Sequence, residues 1–487
     1  MDFRSTRGSE EGIKASEAII KGIAKDGGLF VPDIFPNIYG DLIQERQASY
    51  EEIAFFIIRE FFTDIEEENL KDAIINAYKK KFKVKVKNEF LELYHGPTCA
   101  FKDAALLFLP QIMKEAKKVC KIDEDIVILT ATSGDTGKAA LSGFKDIEGF
   151  KVVVYYPRDG VSEIQRRQMI TQEGENLKVI AIIGDFDNAQ RGVKDIFNDN
   201  ELKEELKDKG YILSSANSIN IGRLIPQVVY YFYGYFNLIK KNKIKEGEEI
   251  NVAVPTGNFG NILAAYYAKQ MGLPIHKFIC ASNENNVLTD FFKDGIYNRE
   301  RKLILTESPS MDILVSSNLE RLLYEASGRN SKEINKLMNE LSECGSYKIN
   351  DKMKEFLKDF YGDFATKEEV YDGIKKEFFK KNYLMDTHTA VAYVVYDKYK
   401  KKTMDHRKVL IASTASPYKF PRSICNSLGI DVEFMDDFEV LKALFQQSSS
   451  AIPKCLSNLK FKEVRHKDEC AKELMKDELI SYLEGEN

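Results

Sequence analysis

The sequence predicts an α/β protein with two open, doubly wound, mostly parallel sheets, a helical N-terminal region and a helical insertion. Two observations carry that prediction. From residue 126 onward, short β-branched runs alternate with longer amphipathic ones, and the runs are continuously apolar, as in strands covered on both faces. The chain is 487 residues long, more than one hydrophobic core usually organises, so two or three domains are expected.

The elements follow in order. Residues 1–92 form the helical N-terminal region, because "YEEIAFFIIREFFTD" and "NLKDAIINAYKKKF" place apolar residues at helical spacing with no strand between them. Residues 93–230 form a smaller α/β domain, in which "IVILTAT" leads into "GKAALSGF", "KVVVYYP" into "SEIQRRQMITQEG" and "LKVIAII" into "AQRGVKDIFND". Residues 231–487 form a larger one, with "INVAVPT" before "NILAAYYAKQMG" and "KVLIAST" before "PYKFPRSICNSLG". Within it, residues 307–380 read as helices with charged outer faces, in "SMDILVSSNLERLLYEASG", "KEINKLMNEL" and "KEEVYDGIKKEFFKK".

Composition narrows the partners. The formal charge is −5 with both signs interspersed, so neither nucleic acid nor an acidic membrane is an expected partner. Seven cysteines without a CxxC pair argue against a disulfide framework and a structural zinc site, and no His, Cys and carboxylate cluster has metal-ligand spacing. The N-terminus is charged, and the most apolar run, "LIPQVVYYFYGYF", falls short of the roughly 20 residues that span a bilayer. A cytoplasmic protein acting on small molecules, as a monomer or homodimer, is the expectation.

In open α/β sheets ligands bind where strands give way to helices. The turn "TATSGDTGKAAL" clusters Thr132, Ser133, Asp135 and Thr136 at a helix N-terminus that attracts anions. Its "GDTGK" ends like a phosphate-binding P-loop but lacks the leading glycine, having Thr132 there, and has Ala139 where a magnesium-binding hydroxyl belongs. In "AVPTGNFGNILAAYYAK", Gly257 and Gly260 bracket a turn whose backbone N–H groups can converge on a phosphate, although many such turns are only tight connections.

Lys102, in "YHGPTCAFKD", sits where an uncharged loop enters an apolar helix. Either it snorkels from the helix end or its amine does chemistry, which desolvation favours by making the neutral form accessible. A reactive lysine together with a phosphate cradle suggests pyridoxal 5′-phosphate.

Several motifs in order resemble threonine synthase, of the pyridoxal-phosphate fold type II group, over nearly the whole chain: "GIAKDGGLFVP", "HGPTCAFKD", "TATSGDTG", "SSANSINIGRLIPQ", "PTGNFGNILAAYYAKQMGLP", "DTHTAVAY" and "STASPYKF". The resemblance implies that Lys102 is the Schiff-base lysine and that Gly257, Asn258, Phe259, Gly260 and Asn261 hold the cofactor phosphate. Thr414 would hydrogen-bond the pyridine nitrogen, a neutral partner that moderates the electron sink. Asp135 falls where many fold type II enzymes carry an asparagine facing the cofactor 3′-oxygen, and an ionised carboxylate there would repel a phenolate. Asn217 and Arg223, with Ser218 and Asn220, would take the substrate phosphate, with Ser133 and Thr136 on the other wall; the alternative is a capped helix start with Arg223 solvated.

Weaker candidates are His95, as proton-transfer group or core histidine, His388, at a family position near the cofactor domain, and Ser5, Thr6 and Arg7 of "RSTRG", which either fold over the site or form an exposed tail. The implied reaction converts O-phospho-L-homoserine and water to L-threonine and phosphate. The alternatives are a related phospho-lyase yielding 2-oxobutyrate, ammonia and phosphate, and a non-catalytic binding protein on the same scaffold.

Overall fold

In the computed structural model, which describes residues 1–485, the β-branched runs become the strands Asp125–Ala131, Phe150–Pro157, Leu177–Ile183, Ile250–Pro255 and Val409–Ser413. Branching at Cβ stiffens χ1 and suits these residues to a pleated, covered surface. A five-stranded parallel sheet runs Asp468–Ala471, Leu177–Ile183, Phe150–Pro157, Asp125–Ala131, Tyr211–Ser214. A six-stranded sheet runs Phe360–Phe364, Ile275–Ser282, Ile250–Pro255, Val409–Ser413, Phe90–His95, Lys83–Lys87. It is parallel except for the last strand, which pairs antiparallel with Phe90–His95. That edge strand, "KVKVK", buries its valines and turns its lysines to solvent, which discourages further pairing.

The expected α/β class with mostly parallel sheets is what the chain adopts. The chain also crosses between sheets: Phe90–His95, ahead of the first sheet in sequence, pairs with Val409–Ser413, and the late strand Asp468–Ala471 joins the sheet built around residues 125–214.

Two regions expected to be helical contain strands as well. The N-terminal region has helices Tyr50–Ile58 and Glu67–Tyr78, but also a three-stranded antiparallel sheet of Ile13–Lys14, Asp2–Ser5 and Phe30–Pro32. The 307–380 stretch has helices Leu319–Ala326, Ser331–Cys344, Asp351–Phe356 and Lys367–Lys381, but Phe360–Phe364 is a strand of the six-stranded sheet and Ser346–Lys348 pairs with Ile296–Asn298. Strands of two to five residues show too few alternations to register as a pattern, and their partners define them.

The helix Ile221–Lys240 contains the apolar run and is buried along most of its length. It packs against Tyr50–Ile58 and Gly260–Gln270, and each fully buried aliphatic or aromatic side chain contributes about 1.5–3 kcal/mol of burial. Among the described residues no helix is long and apolar enough to cross a membrane. The cysteines also depart from expectation: Cys99 and Cys455 are bonded across 356 residues, a pairing no local spacing shows, while the other five are free.

Candidate active site

Three loops at the carboxyl ends of strands converge: residues 132–134 after Asp125–Ala131, 256–259 after Ile250–Pro255, and 414–416 after Val409–Ser413. The lysine segment joins the third of them. Phe101 N–H donates to Thr414 O at 2.7 Å, Ser416 N–H donates to Cys99 O at 3.0 Å, and Ala100 bridges Ala415. Within the turn, Asp103 accepts from Thr98 N–H at 2.9 Å and from Thr98 Oγ at 2.6 Å. Burial pushes the Asp103 carboxyl up to about 6 in spite of those bonds.

Lys102 therefore leaves a braced turn and opens the helix Asp103–Leu106. Its Nζ lies 3.4 Å from Ser310 Oγ and 3.7 Å from Asp135 Oδ2, with 13 % of the side chain exposed. Burial lowers its pKa, Asp135 works against that, and the charges of Lys419 and Arg223 reinforce it. A lysine lowered in this way reaches its neutral, nucleophilic form more readily. The snorkelling alternative is set aside, since the amine points into the protein.

Asp135 begins the helix Asp135–Phe144 behind Gly134, whose φ of +139° favours glycine and whose missing Cβ leaves room for Gln165 Nε2 at 2.5 Å. Its carboxylate is bonded to Lys419 Nζ and accepts from Gln165 Nε2 at 3.3 Å. Burial opposes ionisation here, but the charges of Lys419 and Lys102 outweigh it and hold Asp135 far below the usual carboxylate range. Sequence reasoning passed over Lys419, in "SPYKF", because a lysine beside two aromatic residues and a proline carries no signal of its partner.

The loop Gly257–Asn261 leads into the helix Gly260–Gln270, and Phe259 adopts left-handed backbone at φ +64° to make the turn. The first bond closing this helix is Leu263 N–H to Phe259 O at 3.0 Å, so the N–H groups ahead of it are left for a ligand. Residues 307–318, the start of the stretch expected to be helical, instead form a strap across this loop with a single 3-10 turn at Pro309–Met311. A Cβ on Gly257 would meet Ser310 O at 2.9 Å; Ser316 Oγ donates to Gly257 O at 2.6 Å, and Asn318 N–H to Asn258 O at 3.1 Å. Asp312, just after that turn, anchors the strap by accepting from Asn283, Asn285 and Thr306.

The wall expected to take a substrate anion is only partly free to do so. Arg223 is 3 % exposed and donates to Ala216 O at 2.5 Å, while its Nε has no partner among the described residues. Asn220 is committed elsewhere: its Oδ1 accepts from Gly222 N–H and its Nδ2 donates to Ile19 O, both at 2.8 Å, so it caps the helix Ile221–Lys240. Ser218 Oγ lies at 3.4 Å from Asn318 Nδ2, Asn217 is exposed, and Ser133 and Thr136 are half-buried at the mouth of the Asp135 helix. Arg321, fully buried and missed by sequence reasoning, ties this wall to the strap and the N-terminus through Ile219 O, Asn318 Oδ1 and Phe30 O.

His388 belongs to the site. Ser310 N–H donates to its Nε2 at 3.2 Å, and burial together with the charges of Lys102 and Lys419 depresses it to about 3 in spite of Asp135, so it is a neutral acceptor. His95 does not join it: it sits 2.7 Å from Glu92 Oε2 and lines a cleft of about 1560 Å³ whose wall excludes Lys102. The "RSTRG" segment is not an exposed tail, because Ser5 bonds Asp26 and both Thr6 and Arg7 bond Glu320.

Comparison with known proteins places the chain. Residues 2–78 match the family described as threonine synthase N terminus, and residues 76–414 match the pyridoxal-phosphate dependent enzymes. A threonine synthase from Saccharomyces cerevisiae is 37% identical over 464 residues, covering 88% of this chain and 89% of its own. The chain belongs to the threonine synthase family. Human threonine synthase-like 1 is 43% identical over 437 residues, 85% of this chain, which spans 58% of that relative's length. The crystal structure of a PLP-bound threonine synthase from Brucella melitensis superposes with a TM-score of 0.88 at 32% identity, covering 100% of this chain and 99% of that one.

Membership makes pyridoxal 5′-phosphate the cofactor, and the site fits it. Lys102 would provide the amine and the Gly257–Asn261 turn the N–H donors for a phosphate, and buried Asn261 Nδ2 has no partner among the described residues. Thr414, 5 % exposed, stands beside the lysine segment on the neighbouring loop.

Proposed function

We propose that this family member catalyses the threonine synthase reaction, converting O-phospho-L-homoserine and water to L-threonine and phosphate. The observation that carries this reading is Arg223: a buried guanidinium with no carboxylate in ion-pair contact and an unpartnered Nε, close enough to Lys102 for its charge to be felt there, suits an anionic ligand. Burial lowers its pKa to about 10, still well above neutrality, so it stays charged. Asn217, Ser218, Ser133 and Thr136 supply neutral donors around the same anion, while Asn220 holds the loop.

Pyridoxal 5′-phosphate, when bound, supplies an aldehyde that captures amines and a conjugated ring that accepts electron density from the captured substrate. Lys102 would hold it, with the Gly257–Asn261 turn at the phosphate and Thr414 at the ring nitrogen. With the substrate's amine in its place, the freed Lys102 amine would be positioned to take the proton at Cα, give it up to the conjugated system the cofactor would supply, and only then take the proton at Cβ. The Cγ–O bond breaks and phosphate leaves with the bonding pair toward Arg223. Lys102 would return a proton to Cγ, water would add at Cβ as hydroxyl with its other proton passing to the released phosphate, and a proton delivered to Cα would complete threonine. One amine close to three carbons can serve every transfer, because position supplies what a second base would add.

A second reading, the phospho-lyase giving 2-oxobutyrate and ammonia, draws support from the similarity to threonine synthase-like 1, whose name differs from that of the synthases. Incubating the purified protein with cofactor and O-phospho-L-homoserine, and quantifying phosphate, threonine and 2-oxobutyrate together, separates the two. Equal phosphate and threonine supports the synthase; phosphate with 2-oxobutyrate supports the lyase; no phosphate rejects both.

A further inference from the structure

Asp135 poses a problem that its neighbours resolve. A carboxylate 3.7 Å from the lysine that would carry the cofactor would also be close to the cofactor's 3′-oxygen, because that oxygen is on the ring carbon next to the one bearing the aldehyde. Two anions in a buried site repel strongly. Lys419 answers with a second buried cation. Its side chain has 0 % exposure, its Nζ is bonded to Asp135 Oδ1, and the same Nζ donates to Thr98 O at 3.1 Å. Lys419 thus spans the two loops on either side of Lys102, one through a carboxylate and one through a backbone carbonyl.

We propose that Lys419 is a positioning residue whose ammonium neutralises Asp135, so that the two side chains act as one uncharged unit beside Lys102. The pair takes the place of a neutral amide at this position. The two partners are coupled: each alone is a buried unpaired charge, and removing both restores neutrality. The titratable groups that bear on Asp135 are Lys102 from the lysine segment, Lys419 from the 417–419 turn, and His388 and Asp386 at the start of the helix Thr387–Thr403; Asp103 and Lys138 act on Lys419, and Arg223 on Lys102. Asp103 is engaged with Thr98 and His388 is neutral, which leaves Lys419 as the cation in contact with Asp135 Oδ1.

The inference rests on cofactor bound at Lys102 and not on which product the enzyme releases. Its test uses cofactor affinity and the pH dependence of the visible absorption of the lysine-bound cofactor, measured without substrate, in Lys419→Met, Asp135→Asn and the double variant. In Lys419→Met the carboxylate is uncompensated, so affinity falls about tenfold or more and the absorption change moves to higher pH by about one unit. In Asp135→Asn the ammonium is uncompensated, and the change moves to lower pH. The double variant returns both readouts to within about threefold and a few tenths of a unit of the parent.

A role of Lys419 confined to holding Thr98 predicts no rescue by Asp135→Asn, so a double variant as impaired as Lys419→Met overturns the proposal. Unchanged titration in Asp135→Asn overturns it too, and that variant keeps the test decisive if Lys419→Met does not fold.

Discussion

Lys102 Nζ and Ser310 Oγ meet at 3.4 Å across 208 residues of chain, and Ser310 is itself held by its backbone N–H, which donates to His388 Nε2. The chain of contacts runs from a neutral imidazole, through the Ser310 backbone N–H, to a hydroxyl facing the reactive amine. Ser310→Ala keeps the backbone bond and deletes only the hydroxyl. Turnover of O-phospho-L-homoserine is expected to drop about tenfold with cofactor affinity nearly unchanged, because a group that orients a proton-transferring amine affects kcat more than binding. Steady-state kinetics alongside a cofactor titration checks this; an unchanged kcat removes Ser310 from the proton-transfer geometry.

His388 is depressed to about 3 by burial, against an ordinary value of 6.5 in the unfolded chain. Unfolding therefore takes up a proton between those values, and stability falls as the pH falls through that window. The contribution is fully present above 6.5 and is lost progressively toward 3, amounting to about 2 kcal/mol by pH 5. His388→Asn abolishes this component. Denaturant unfolding at pH 7 and pH 5 should show a loss between the two conditions about 2 kcal/mol smaller in the variant. Equal losses in both proteins would mean that His388 is protonated in the folded state.

How much of the site could be read from the residues depended on how local each signal was. Lys102, Asp135, the Gly257–Asn261 turn and Thr414 all follow continuous apolar strands or open helices, so their placement at the carboxyl ends of strands, in two different sheets, is a matter of periodicity and connection rules. Ser310, Lys419 and Arg321 have no local signature. Their roles come from pairings such as Lys419 with Thr98, 321 residues apart, and Arg321 with Phe30, 291 apart. Asn220 shows the opposite difficulty: the same side chain suits an anion contact and a helix cap, and only its two 2.8 Å bonds decide between them. The strands Phe360–Phe364 and Asp2–Ser5 were hidden by shortness, since four or five residues cannot establish a period of two against a helical background.

Gly257 and Gly260 look equivalent in "GNFGN", yet they differ in what surrounds them. A methyl at Gly257 would press on the Ser310 carbonyl oxygen at 2.9 Å and Met311 Cα at 3.4 Å, both backbone atoms, whereas the nearest atom to a methyl at Gly260 is Asn318 Nδ2 at 3.6 Å. Gly257→Ala must therefore displace the strap, at an overpacking cost of about 1–3 kcal/mol, and weaken cofactor binding roughly tenfold. Gly260→Ala should leave affinity within a few fold. Spectroscopic cofactor titration of the two variants checks the contrast, and equal effects would show that the strap does not press on the turn.

Arg7 and Glu320 connect the N-terminus to the site by a fork, with Nε to Oε1 at 3.0 Å and Nη2 to Oε2 at 2.8 Å, while Thr6 Oγ donates to Oε1 at 2.5 Å. Glu320 is only 6 % exposed and precedes Arg321, which holds Asn318 and the Ile219 carbonyl, so the fork braces the helix behind the strap. Arg7→Met leaves a buried carboxylate short of its partner and should lower unfolding stability by about 2 kcal/mol, a figure reduced from that of a fully buried pair because a quarter of the Arg7 side chain is exposed. Glu320→Gln in the same background should recover part of that loss, as coupled partners do. If Arg7 instead contacted substrate directly, KM for O-phospho-L-homoserine would rise several-fold in Arg7→Met at a temperature where the protein is fully folded; the bracing role requires KM to stay level while the unfolding midpoint falls.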